Sequence, residues 1–149
     1  MILGLCLEKG GFRAAWLDGS KSLPTLIERD RAVNPHNEPS EMATWAYGRF
    51  EQIIARHAIS SVVCKISIDL KSQEAVLNHG APLGILSYQC GKGKLALKLI
   101  TKNKLNRPGT FTLPKAIKPA DWVDALKDGK AYWDSAQRDA ILAAVSELP

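Results

Sequence analysis

The chain has 149 residues, of which 46% are hydrophobic and 23% are charged, a composition typical of one globular domain with its own packed core. No apolar run approaches the roughly 18–20 residues of a membrane span, so composition argues against a membrane protein. Cys6, Cys64 and Cys90 are widely spaced and form no Cys-x-x-Cys pair, which excludes a disulfide framework and favours a reducing cytoplasm.

Positive charge is concentrated in one segment of the sequence. The net charge is +5, yet residues 92–118 carry eight basic side chains, and no acid lies between Glu74 and Asp121. Taking these eight charges away leaves the remainder of the chain at −3. A local basic surface of this kind attracts polyanions or acidic partners.

The first third of the chain predicts three strands joined by tight turns. The strands are expected at residues 2–8, 12–18 and 24–31. Lys9-Gly10-Gly11 is a turn signal between two apolar runs, which is typical of a β-hairpin. The first run is apolar throughout, as in a strand covered on both faces. We therefore expect an antiparallel meander of these three strands.

The remaining two thirds alternate helices with strands. Met42, Trp45, Phe50 and Ile53 recur at helical spacing, so residues 41–57 are predicted as an amphipathic helix with Ser40 as its N-cap. Further elements are expected as a strand at 60–66, a helix at 72–88 interrupted by Pro82, a strand at 94–101, a loop at 103–119, and short helices at 120–127 and 135–148. A helix between two apolar strands favours a parallel crossover, which would place the strand at 60–66 beside the first.

This order of elements resembles the ribonuclease H-like fold, in its RuvC-type branch. The similarity is carried by residues 2–5 (Ile-Leu-Gly-Leu), 61–65 (Ser-Val-Val-Cys-Lys) and 134–144 (Asp-Ser-Ala-Gln-Arg-Asp-Ala-Ile-Leu-Ala-Ala). The chain is also similar to a small uncharacterised bacterial family of that superfamily. The resemblance implies a single α/β domain over residues 1–149, with a mixed five-stranded sheet, strands 1–3 in a meander, strands 4 and 5 parallel, and flanking helices.

The resemblance also implies where an active site would lie. Active members hydrolyse phosphodiesters with two divalent ions about 4 Å apart, held by carboxylates. The acid of the first strand falls on Cys6, that of the fourth strand near Lys65, and that of the last helix on Asp139. Thiols are soft ligands that suit magnesium poorly, and a lysine adds positive charge where cations would sit. The sequence therefore favours a non-catalytic binding domain without a metal or other cofactor.

An alternative is a magnesium-dependent nuclease whose acidic site is displaced. Its ligands would come from Glu8, which shares a strand face with Cys6, from Asp69 or Glu74 after the fourth strand, and from Asp139. The three histidines share no zinc-ligand spacing with the cysteines, so no zinc site is predicted.

The basic segment 92–118 is the predicted nucleic-acid interface of the favoured, non-catalytic interpretation. Its cationic side chains are Lys92, Lys94, Lys98, Lys102, Lys104, Arg107, Lys115 and Lys118. Three to five phosphate contacts would give a log–log salt slope of about −2 to −4.5. Only Phe111 interleaves as an aromatic, so little base stacking is expected from this segment. Two further interpretations stay open: an acidic protein partner, or a solvated basic surface on a protein-binding accessory factor.

Overall fold

The computed structural model describes residues 1–67 and 71–149, which form a five-stranded sheet with helices on both faces. The strands are β1 (Ile2–Glu8), β2 (Gly11–Gly19), β3 (Pro24–Val33), β4 (Ser61–Ile66) and β5 (Ala96–Thr101). The α-helices in these residues are α1 (Pro39–Ala55), α2 (Gln73–Lys92), α3 (Lys102–Leu105), α4 (Pro119–Trp122) and α5 (Ser135–Val145). Single 3-10 turns occupy Pro108–Phe111 and Val123–Leu126. In the described part of the chain, no helix is long and apolar enough to span a bilayer.

The strand order across the sheet is β3-β2-β1-β4-β5. Strands β1, β2 and β3 pair antiparallel, whereas β1 pairs parallel with β4 and β4 pairs parallel with β5. The predicted meander, the parallel fourth and fifth strands, and the contact between the first and fourth strands are all confirmed. The helix α1 supplies the crossover that returns the chain to the middle of the sheet.

Each face of the sheet has its own hydrophobic core. Leu3 and Leu5 of β1 pack with Trp16, Phe50 and Leu86 on the face covered by α1 and α2. The alternate side chains of β1, including Ile2 and Cys6, pack with α5 on the other face. All side chains of β1 from Ile2 to Leu7 are therefore buried, which explains why its sequence is apolar without alternation.

Helix α5 approaches the sheet most closely at Gly4. A Cβ atom built on Gly4 would overlap the carbonyl oxygen of Ala140 and lie 2.8 Å from the backbone nitrogen of Ala144. Gln137 reaches the sheet as well, because its side-chain amide donates to the carbonyl of Ala14 at 3.0 Å. The absence of a side chain at Gly4 thus sets the depth of α5, and with it the position of the polar residues on its first turns.

Several predicted boundaries were wrong for local reasons. Helix α1 begins at Pro39 with Glu38 as its N-cap, so Ser40 lies inside the first turn and does not cap it; proline is well suited to the first helical position. Helix α2 is capped by the Ser72 hydroxyl and continues through Pro82 to Lys92.

The second half of the chain departs further from the predicted elements. Strand β5 starts two residues later than expected because Lys94 has a positive φ of 54° and belongs to the turn that closes α2. The predicted loop at 103–119 contains most of α3 and a 3-10 turn, and the predicted helix at 120–127 is α4 followed by another 3-10 turn. The last helix ends three residues early, at Val145.

Candidate nucleic-acid interface

Four side chains form a line across the middle of the sheet, on the face that α5 covers. Cys6 of β1 is in register with Arg13 of β2 and with Lys65 of β4, and Arg13 is in register with Arg31 of β3. Side chains in register point to the same face, and neighbouring strands lie about 4.8 Å apart. Arg31, Arg13, Cys6 and Lys65, which we call the transverse row, therefore span about 14 Å. Three of the four carry a positive charge.

A fourth cation, Lys102, reaches the same region from the end of β5. It is the first residue of α3, and its Nζ forms an ion pair with the carboxylate of Asp139 on α5. The Asp139 side chain is only 7% exposed, so the paired lysine compensates a buried charge. The acid on the last helix that the sequence singled out is thus already neutralised by a side chain of this protein.

Arg13 is the buried centre of an ion-pair network. Its side chain is 7% exposed, and its two terminal nitrogens lie 2.6 Å from the carboxylates of Glu8 and Asp134. Asp134 also caps α5 by accepting from the backbone nitrogen of Gln137 at 2.9 Å. Burial works to raise the pKa of Asp134, but the hydrogen bonds from Arg13 and Gln137 and the charge of Arg13 lower it overall. The network fixes the first turn of α5 to the sheet.

Lys65 has a different environment from the paired cations. Its Nζ lies 3.3 Å from the hydroxyl of Ser67, and no acid among residues 1–67 and 71–149 forms an ion pair with it. A lysine that pairs with no acid has its ammonium donors available to an incoming anion. Lys65 is therefore the member of the transverse row best placed to bind a phosphate.

Cys6 is a protonated thiol at the centre of the row. Burial raises the pKa of Cys6 to about 12; Lys65 and Lys102 oppose this shift, whereas Asp139 and Glu8 add to it. These long-range effects also place all four groups in one electrostatic neighbourhood. A thiol with such a pKa is neutral at physiological pH and is a poor nucleophile.

The acids of the alternative, displaced site have separate partners. Glu8 forms an ion pair with Arg13, and Asp139 forms one with Lys102. Glu74, which is exposed at the start of α2, lies 3.2 Å from Lys9. Asp69 lies outside the described residues. Within the described ranges, no group of three or more histidine, cysteine, aspartate or glutamate side chains is arranged to hold a metal ion.

The basic side chains of the segment are spread along β5 and beyond both of its ends. Lys92 and Lys94 precede β5, whereas Lys102, Lys104 and Arg107 follow it, and a strand of six residues separates the two groups by about 17–20 Å. Lys115 and Lys118 lie further along, on the exposed stretch before α4. No acid lies within the segment, but two of its lysines have acidic partners elsewhere in the chain: Glu147 pairs with Lys98 and Asp139 pairs with Lys102.

Sequence reasoning missed Arg13 and Arg31 as members of the site. The signal was present in the hairpin, since a turn that pairs Glu8 with Gly11 also pairs Cys6 with Arg13. From the sequence, Lys65 was interpreted as a positive charge that opposes metal binding, and not as a ligand for an anion. Its place opposite Cys6 follows from the parallel pairing of β1 with β4.

Comparisons with known proteins place this arrangement in a structural context. The sequence matches no protein-family model and no curated protein significantly. Its fold is similar to that of Thermus thermophilus RuvC in complex with a Holliday junction substrate, with a TM-score of 0.79 and 14% identity over 97% of this chain and 90% of that one. It is also similar to the yeast mitochondrial Holliday junction resolvase (TM-score 0.68, 11% identity, 97% of this chain and 76% of that one). A third similar structure is the Fowlpox virus resolvase bound to Holliday junction DNA (TM-score 0.58, 9% identity, 99% and 98%). The chain therefore has the ribonuclease H-like fold in its RuvC-type form, as the order of its elements predicted.

Proposed function

We propose that this protein binds the phosphate backbone of nucleic acid, with branched DNA as its preferred form, and does not cleave it with divalent metal ions. The observation that carries the proposal is the transverse row, in which Arg13 and Lys65 flank Cys6. Among the residues that the structure describes there, four cations (Arg13, Arg31, Lys65 and Lys102) face three carboxylates (Glu8, Asp134 and Asp139), an excess of one positive charge.

This donor set suits an anion better than a pair of divalent cations. Two magnesium ions need several carboxylate oxygens within reach of both metals. Here a neutral thiol and a lysine occupy the central positions on β1 and β4, and the carboxylate on α5 already has a lysine partner. Because the residues do not fit two metal ions, no hydrolytic step is assigned to them.

Phosphates can instead take the place that metal-bound substrate would occupy. Lys65 offers an ammonium group that has no ion-pair partner among residues 1–67 and 71–149, and Lys104 of α3 and Arg107 just after it add further positive charge. Contacts of this kind fix the position of a nucleic acid without reading its bases. The choice of branched DNA is supported by the structural neighbours, two of which are described in complexes with Holliday junctions.

The test is a binding and cleavage experiment on one pair of substrates. A fluorescent four-way DNA junction and a duplex of the same sequence are titrated with protein at several salt concentrations, in EDTA and then in magnesium or manganese. We expect salt-dependent binding that is the same in EDTA and no cleavage product in either metal. No binding to either DNA at low salt would overturn the proposal and favour a protein partner.

A metal-dependent nuclease with displaced acids is the second candidate. It is favoured by the presence of both Glu8 and Asp139 near Cys6 and by the resolvase function named for the structural neighbours. Reproducible cleavage of the junction that disappears in the Asp139→Asn variant would establish it. Asp139→Asn leaves Lys102 without its partner, so the same variant should bind DNA more tightly if the non-catalytic proposal is correct.

A further inference from the structure

An exposed tyrosine stands at one end of the transverse row. Tyr132 lies in the segment between the 3-10 turn at Val123–Leu126 and α5, and it is 60% exposed. Its φ is +64°, a conformation that bulky side chains rarely adopt without a structural reason. Both features, exposure of a large ring and an unusual backbone, are typical of residues held in place for contact with a ligand.

The segment that carries Tyr132 is fastened to the sheet by Arg29. The guanidinium of Arg29 pairs with Asp128, with its Nη2 2.8 Å from a carboxylate oxygen. It also donates to the backbone carbonyls of Lys130, Ala131 and Tyr132 at 2.7, 2.8 and 3.3 Å. The Arg29 side chain is only 6% exposed, and its Cζ lies 5.4 Å from the centre of the Trp133 ring. These contacts hold the backbone of the segment and leave the Tyr132 ring outside.

The ring of Tyr132 is joined to the row through Arg31. The Cζ of Arg31 lies 4.3 Å from the centre of the tyrosine ring, which is a close cation–π contact. Arg31 is in register with Arg13, so the ring continues the line of positive side chains. Arg31 is the exposed end of the row, so a phosphate bound by Arg31 would have an aromatic surface beside it.

We infer that Tyr132 is a stacking residue for an unpaired base of the nucleic acid that the transverse row binds; this inference rests on the proposed function. Stacking on an aromatic ring suits any base, because each has a π-face, and Tyr gives a large contact area at a low cost in side-chain entropy. Bases in continuous duplex are already stacked on their neighbours. The residue would therefore distinguish branched or single-stranded nucleic acid from plain duplex.

The test uses three variants and the two DNAs described above. Tyr132→Gly removes the ring and is compatible with a φ of +64°, since glycine adopts positive φ without strain. Tyr132→Phe keeps the ring and removes only the hydroxyl. Tyr88→Ala is the matched control, because Tyr88 is 63% exposed but lies on α2, on the opposite side of the sheet. Thermal unfolding of each variant verifies the fold.

The readout is the ratio of junction affinity to duplex affinity. Loss of one base–aromatic stack is expected to lower this ratio by about 5- to 140-fold in Tyr132→Gly. Tyr132→Phe should restore it, and Tyr88→Ala should match the wild type. A wild-type ratio in folded Tyr132→Gly, or an equal loss for junction and duplex, would overturn the inference while leaving the proposed function standing. Failure of the wild-type protein to bind either DNA would remove both.

Discussion

Replacing Lys65 by methionine tests which positive charges contact the nucleic acid. The substitution keeps the length of the side chain but removes a charge that lies 3.3 Å from the Ser67 hydroxyl and pairs with no acid in the described part of the chain. If Lys65 neutralises one phosphate of a duplex arm, the slope of log K against log salt should become shallower by about 0.9. Between 50 and 200 mM salt this corresponds to a relative change in affinity of about 3.5-fold.

Lys92→Met is the matched control, because it changes the net charge by the same amount. Lys92 ends α2 and lies before the start of β5, whereas Lys65 pairs near its end. The length of β5 therefore separates the two lysines by more than the screening length, which is about 10 Å at 0.1 M salt. Its substitution should leave the slope of log K against log salt equal to that of the wild type within experimental error. Fluorescence anisotropy of the labelled four-way junction at five or more salt concentrations measures both slopes. Equal slopes for the two variants would refute the assignment of Lys65 to the interface, because net charge alone would then govern binding.

Three further predictions concern the fold and the site. In a urea titration, Gly4→Ala should lower the free energy of unfolding by about 3 kcal/mol, since the new methyl overlaps the Ala140 carbonyl. Gly48→Ala is the control, because its added methyl meets nothing within 4 Å. It should raise the free energy of unfolding by about 0.5–1 kcal/mol through stabilisation of α1. Asp134→Asn keeps the helix cap but removes the charge, so the variant should have a lower free energy of unfolding than the wild type. This difference should be complete above the ordinary carboxyl pKa of 3.8 and should vanish as the pH falls through the lowered native pKa of Asp134. A difference that persists at pH 2 would show that the charge is not its cause. The Cys6→Asp, Lys65→Glu double variant places two carboxylates beside Asp139 and should bind magnesium in its folded state. At a magnesium concentration ten times the Kd of the variant for this ion, a thermal scan should show a gain of about 1.4 kcal/mol in stability, whereas the wild type should gain none.

The local patterns of the sequence were sufficient for the strands and the long helices. The unbroken apolar run of β1 indicated a strand buried on both faces, and the Gly-containing turn at residues 9–11 indicated its pairing with β2. The continuation of α2 through Pro82 could not be foreseen from local preference, because packing of α2 on α1 and on the sheet outweighs the lost hydrogen bond. Tertiary contacts decided that element.

The charge state of the candidate site depended on contacts that local sequence does not contain. Lys98 and Lys102 appeared unopposed, yet their partners Glu147 and Asp139 lie 49 and 37 residues further along the chain. Their meeting follows from the return of α5 across the sheet, and in particular from its close approach at Gly4. A count of charges along a segment therefore overstated its free positive charge.

The burial of all three cysteines has a practical consequence for studying this protein in solution. Cys6, Cys64 and Cys90 are buried and unpaired, and burial raises the pKa of each thiol. Maleimides and similar reagents react with accessible thiolates, so the native chain offers them almost no target. A single cysteine introduced at an exposed position, such as Lys118→Cys, would then carry one dye per molecule without removal of the native residues. Energy transfer from that dye to labelled DNA arms would report the orientation of a branched substrate on the sheet.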